Sequence, residues 1–174
     1  MTRDTAALTL AWDKSAVAAR EAAAFAGRII GMHAPYISHG EIQTGLSDDG
    51  QTWVPDLAAR YEADFLDLGE ERDLLTARTP DGTLAGIAIV AWEETPRRKF
   101  AVLEDMAVDP DQRSSGIGAA LLDAVDARVK ARGVEWLFLE SGKDNLRAHA
   151  FFERHGFAEL SHVFAKRLGV ESII

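Results

Sequence analysis

Residues 100–122 constrain the fold more than any other stretch of the chain. Residues 100–108 read as a strand, and Asp109-Pro110 breaks it. Residues 114–132 then read as a helix, with Leu121, Leu122, Val125 and Val129 on one face and Gly133 at its end. Residues 134–140 return to strand character. Strand, helix and strand in this order predict two parallel strands joined by a right-handed crossover.

The other elements fit around this unit. Residues 7–12 read as a short strand, and Asp13 or Ser15 is placed to cap an alanine-rich helix reaching about Gly31. Residues 33–53 are polar and irregular, with a short helix expected near residues 41–46. Pro55 suits the first turn of a helix to about Leu66. Residues 73–78 and 84–92 read as strands joined by the turn Thr79-Pro80-Asp81-Gly82. Residues 145–155 read as a final helix, and residues 157–168 as one or two last strands.

The opening of the 114–132 helix carries the chemistry. The run Arg113-Ser114-Ser115-Gly116-Ile117-Gly118 places glycines where a ligand approaches the backbone. Free N–H groups and the helix dipole at such a start suit a pyrophosphate. The nucleotide fingerprints do not match: no Gly-Lys-Ser/Thr follows, and Leu121 stands where a dinucleotide site needs its third glycine. The chain has 174 residues and a formal net charge of -9, a balance that disfavours nucleic acid and tolerates cationic partners. There is no cysteine, so disulfides, thiolate metal sites and a cysteine nucleophile are excluded. The five histidines lack metal-binding spacing, so no metal is expected. Without a long apolar run or a signal-like start, the expectation is a soluble cytoplasmic protein that does not engage membranes.

The 113–118 run resembles the Gln/Arg-x-x-Gly-x-Gly/Ala signature of the GCN5-related N-acetyltransferase (GNAT) superfamily. A second block resembles the family's Asn-x-x-Ala-x-x-Phe-Tyr-x-x-x-Gly-Phe run: Asn145, Ala148, Phe151, Phe152, Gly156 and Phe157. The resemblance covers about residues 70–168 and is weak over the first 60. It implies an α/β (α+β) GNAT fold: a mixed central sheet of about six to seven strands, with parallel, splayed fourth and fifth strands and about four flanking helices. It implies one N-acetyltransferase domain over residues 1–174, with acceptor recognition in about 13–68 and an acetyl-CoA-binding core in about 70–168. Homodimers occur in the family.

By the same resemblance, Met106, Ala107 and Val108 line the thioester, and Gln112, Arg113, Ser114, Ser115, Gly116, Ile117, Gly118 and Ala119 hold the pyrophosphate. Asn145 and Phe152 flank the pantetheine; Asn145 also suits a helix N-cap. The implied reaction is direct attack of a primary amine on acetyl-CoA in a ternary complex, the acceptor being a small cationic amine or a peptide or protein amine. Strand alternation lets only one of Glu104 and Asp105 face the acceptor cleft. Glu104 is chosen as base because Leu103-Glu104-Asp105 resembles the triplet of diamine acetyltransferases. Glu140 is the rival, by its likeness in position to the proposed base of ribosomal-protein N-terminal acetyltransferases. Phe152 departs from the family's tyrosine acid, which leaves open an acyl-CoA-binding sensor or partner module with little catalysis.

Overall fold

The computed structural model describes residues 7–169. Its elements are β1 (Thr9–Trp12), α1 (Ala16–Ile29), α2 (His39–Gln43), α3 (Leu57–Phe65), β2 (Arg72–Arg78), β3 (Leu84–Thr95), β4 (Arg98–Val108), α4 (Ile117–Ala131), β5 (Leu137–Leu139) and α5 (Leu146–Arg154). The strands form one mixed sheet in the order β1-β2-β3-β4-β5. Successive pairs are antiparallel up to β4, and β4 runs parallel to β5. The parallel pairing of β4 and β5 on either side of α4 is the one expected from residues 100–140.

Local chemistry sets the element ends. Ser15 Oγ accepts the Ala18 N–H at 3.3 Å and starts α1. Gly82, at φ +86°, closes the turn between β2 and β3, its N–H donating to Thr79 O at 2.8 Å.

The sheet is covered on both faces. On one side α1 and α3 bury Ala22, Ala26, Phe25, Tyr61 and Phe65 against Leu74, Ile87 and Ile89. On the other, α4 buries Ile117, Leu121, Leu122 and Val125 against Leu75, Ala88 and Val90. Phe151 and Phe152 of α5 add to that second cluster. Helices α1 and α3 approach closely because Gly27 faces Ala58; a Cβ on Gly27 would stand 2.7 Å from that of Ala58.

Two expectations change. The helix expected from residue 114 begins at Ile117, after a 3₁₀ turn over Pro110–Ser115. Gly116 separates the two with a left-handed φ of +73°. Residues 157–168, expected as strand, carry no strand assignment, so the sheet has five strands among the described residues. The residues after Phe157 have left the layered core, and Leu160, Val163, Phe164 and Leu168 are all exposed. Without a neighbouring ladder or a buried face, period-two apolar spacing alone does not hold a strand.

Candidate active site

Strands β4 and β5 pair only from Ala101–Leu137 to Leu103–Leu139. Beyond Leu103, β4 runs on to Val108 while the chain leaves the sheet after Leu139. Among the described residues, the β4 edge from Glu104 to Val108 therefore faces a gap with no strand paired to it. Met106, Ala107 and Val108 lie on this stretch. Ala107 packs with the α1 and α3 cluster; Met106 and Val108 pack with the α4 cluster.

The glycine run opens at the same end of the sheet. Gly116 occupies the N-cap of α4 and supplies no side-chain cap. The first N–H groups of the helix have no partner within it. Ile117 is fully buried and anchors the turn, and an added Cβ on Gly116 would meet nothing within 4 Å. Gly118 lies against Phe151 and Met106; its Cβ would be 3.2 Å from the Phe151 ring. Gln112 is half-buried in the 3₁₀ turn, with its N–H donating to Asp109 O at 2.9 Å. Arg113, Ser114 and Ser115 complete that turn, and Ala119 follows in the first turn of α4. A helix start with free backbone donors and no side-chain cap fits a diphosphate.

The two carboxylates of β4 do not alternate as a regular strand would. Ile89 pairs with Asp105 while Val90 pairs with Leu103, so Glu104 is the extra residue of a β-bulge. The bulge turns both acids toward the α1 and α3 face. Glu104 accepts from Arg72 Nη1 at 3.3 Å, and the same Nη1 lies 2.9 Å from Asp64. Asp105 accepts the Tyr36 hydroxyl at 2.8 Å. The expectation that only one of these acids faces the acceptor side does not hold, because the bulge resets the pleat between them.

Their electrostatics differ. Burial raises the pKa of Glu104, and the Arg72 guanidinium opposes that rise. Burial pushes Asp105 up to about 7; the Tyr36 hydrogen bond pulls it down, and the charges of Glu104, Glu41 and Asp64 add to the rise. The phenols of Tyr36 and Tyr61 are raised well above their ordinary value, first by burial and then by the charge of Asp105. Both stay protonated and can donate. Tyr61 OH and Trp53 Nε1 are buried without a hydrogen-bond partner among the described residues. Trp53 stands beside Tyr36, with ring centroids 6.0 Å apart.

The remaining predicted residues lie across the gap. Asn145 is buried at the N-cap position of α5 but makes no cap bond. Its Oδ1 meets His33 Nε2 at 3.2 Å, because residues 33–40 cross over to the loop after β5. Glu140 is exposed and pairs with His39 Nε2 at 3.1 Å. Phe152 packs on Phe151 and Phe157, with centroids 5.4 and 5.5 Å away. Tyr36 gave no signal in the sequence: it sits in an irregular segment, and only the folded chain brings it to Asp105.

A strand pair that splays beside a glycine-started helix also has counterparts among known proteins. Residues 41–157 match the model of the Acetyltransferase (GNAT) family. The chain belongs to the GNAT family. Two curated GNAT relatives are similar over part of their length. The mycothiol acetyltransferase of Propionibacterium freudenreichii is 31% identical over 129 residues, which is 74% of this chain and 38% of the relative. The [ribosomal protein bS18]-alanine N-acetyltransferase of Escherichia coli is 38% identical over 91 residues, 51% of this chain and 57% of the relative. The matched regions thus span between 38% and 57% of these relatives. A crystal structure of a Bacillus halodurans protein shares the fold with a TM-score of 0.73 and 17% identity, covering 92% of this chain and 99% of that one. Among the described residues no group of three or more histidine or acidic side chains is gathered to hold a metal, and no helix is long and apolar enough to cross a membrane.

Proposed function

We propose that this GNAT chain transfers an acetyl group from acetyl-CoA to a primary amine, with Asp105 as the general base. The observation that carries the reading is Asp105 itself. It is the acid two residues beyond the last β4–β5 pair, bonded to a tyrosine rather than a cation, with a pKa of about 7. A base poised near neutrality accepts a proton readily and is ionised half the time or more at neutral pH. Glu104, the base favoured by the triplet resemblance, is held by Arg72, and Glu140 by His39.

The coenzyme fits the first turn of α4, where the backbone of residues 116–119 holds its diphosphate and the unpaired edge of β4 receives its pantetheine arm as an added strand. When bound it supplies an activated acetyl group. Asp105 takes one proton from the acceptor ammonium. The freed nitrogen bonds to the acetyl carbon, and the carbon–sulfur bond breaks with its electron pair on sulfur. A backbone N–H of the β4 edge hydrogen-bonds the carbonyl oxygen as it gains charge. The nitrogen then loses a second proton, which reaches sulfur through solvent. A thiol with a pKa near ~8.5 tolerates this without a dedicated acid. Phe152 cannot serve as that acid.

A second reading has one observation in its favour. Phe152 fills an aromatic cluster where the family carries a tyrosine, which suits an acyl-CoA-binding sensor or partner module. Calorimetry with acetyl-CoA and a thiol-release assay on an amine panel separate the two. Binding with turnover supports the transferase, binding without turnover supports the module, and no binding refutes both.

A further inference from the structure

We infer that residues 158–168 of one chain pair antiparallel with strand β5 of a second copy, the two copies exchanging these segments reciprocally as a two-fold dimer. Two surfaces without partners in the single chain meet in this arrangement. The first is the segment itself. Phe157 is held at the end of α5, its N–H donating to Phe152 O at 3.0 Å. From Ala158 to Gly169 every residue is exposed, and no backbone hydrogen bond ties the stretch to the rest of the described chain. No turn or bend interrupts residues 157–168, so the backbone runs straight. Phe164 is 94% exposed, and Leu160, Val163 and Leu168 are exposed with it. Single exposed apolar residues are ordinary, but this cluster lies on a stretch whose backbone is also unpaired, which marks a contact surface.

The second surface is the outer side of β5. The strand ends the sheet, and among the described residues its outer edge pairs with nothing. Leu137 and Leu139 pack with the α4 cluster, so Trp136 and Phe138 point to the opposite face. There they stack on each other with ring centroids 5.8 Å apart, and Phe100 stands edge-on to Phe138 at 5.7 Å. These three rings belong to neither buried cluster.

An antiparallel register matches the two surfaces. Setting Phe164 opposite Phe138 puts Lys166 against Trp136 and His162 against Glu140 on one face. On the other face Val163 meets Leu139 and Ala165 meets Leu137, which extends the α4 layer. Arg167 then meets Glu135, which reaches Arg98 in its own chain and is mostly exposed. Ring on ring, cation on ring, base opposite acid and aliphatic on aliphatic are the cross-strand pairs that stabilise a sheet. Residues 158–168 span roughly 35 Å when extended, enough to reach a neighbouring sheet. Reciprocal exchange occupies both segments and both edges, so the assembly closes at two copies. It also supplies the ladder that residues 157–168 lack in the single chain. Glu140 follows β5 where it parts from β4, so His162 of the second copy stands beside the gap.

The chain has no cysteine, so an introduced pair reports this contact without interference. Leu139→Cys combined with Val163→Cys, once oxidised, should run on a non-reducing gel as a covalent dimer that reductant returns to single chains. Light scattering of the unmodified chain should give twice the mass of one chain. Phe164→Asp should raise the dimer dissociation constant by about 10²-fold or more, since the aromatic pair is lost twice. Arg167→Glu should raise it roughly tenfold, and adding Glu135→Arg on the same chain should recover most of that loss. These measurements need no substrate, so they stand apart from the transferase reading. A single-chain mass in light scattering overturns the inference. So does a double-cysteine variant that links only within one chain or not at all, or a dimer that Phe164→Asp leaves at full strength.

Discussion

Replacing Asp105 with asparagine removes a titrating group and keeps an oxygen to accept the Tyr36 hydroxyl. In the folded chain the carboxyl has a pKa of about 7, against an ordinary value of 3.8. Between those values the folded protein holds a proton that the unfolded chain has released. This contribution to stability is complete below pH 3.8 and is lost as pH rises through 7. The loss is about 1.4 kcal/mol per pH unit and about 4 kcal/mol over the whole window. Asparagine carries no such term. The stability of Asp105→Asn relative to wild type should therefore climb with pH, by about 2–3 kcal/mol between pH 5 and 8, and then level off. Urea denaturation of both proteins at pH 5, 6, 7 and 8 reads this directly. The same variant should lose ~10²–10⁴ in kcat/KM. A stability difference that stays constant from pH 5 to 8 would refute the reasoning, because no proton would then be linked to folding at this position.

Two further outcomes follow from the packing. Gly118→Val should weaken acetyl-CoA binding by tenfold or more in calorimetry, since its side chain must displace Phe151 at the start of α4, with the melting temperature as a control for folding. Asp73 is 7% exposed and holds Lys14, Arg128 and the Trp92 indole N–H at 3.2, 3.1 and 3.0 Å. Burial works against its ionised form, but those partners outweigh it and lower the pKa, so its contribution is present at neutral pH and lost on acidification. Asp73→Ala should cost about 2–3 kcal/mol at pH 7 by chemical denaturation, less than a fully buried pair because its cations, Arg132 at 3.7 Å included, keep some water.

Much of the coenzyme half was legible from local signals. Asp109-Pro110 ends β4, the 113–118 run starts a helix, and the strand–helix–strand order dictates a parallel pair. Each is written in neighbouring residues. The acceptor half was not, for two physical reasons. The bulge at Glu104 is a property of the β3–β4 register, and no residue type announces it, so strand alternation misplaced Asp105 relative to Glu104. The partners of the acids come from far along the chain: Arg72 reaches Glu104 across 32 positions, and Tyr36 reaches Asp105 across 69. Residues 33–53 lack a period that would predict such a reach. Residues 157–168 failed in the opposite sense, since a strand-like pattern found no ladder in the described structure.

The pH dependence of kcat/KM for the wild-type chain tests the assignment of Asp105 most directly, because that quantity reports ionisation in the free enzyme. Its logarithm should rise with pH and bend near pH 7, and Asp105→Asn should lack the bend. A profile with no bend between pH 5.5 and 8.5, or one that the asparagine variant retains, would contradict it.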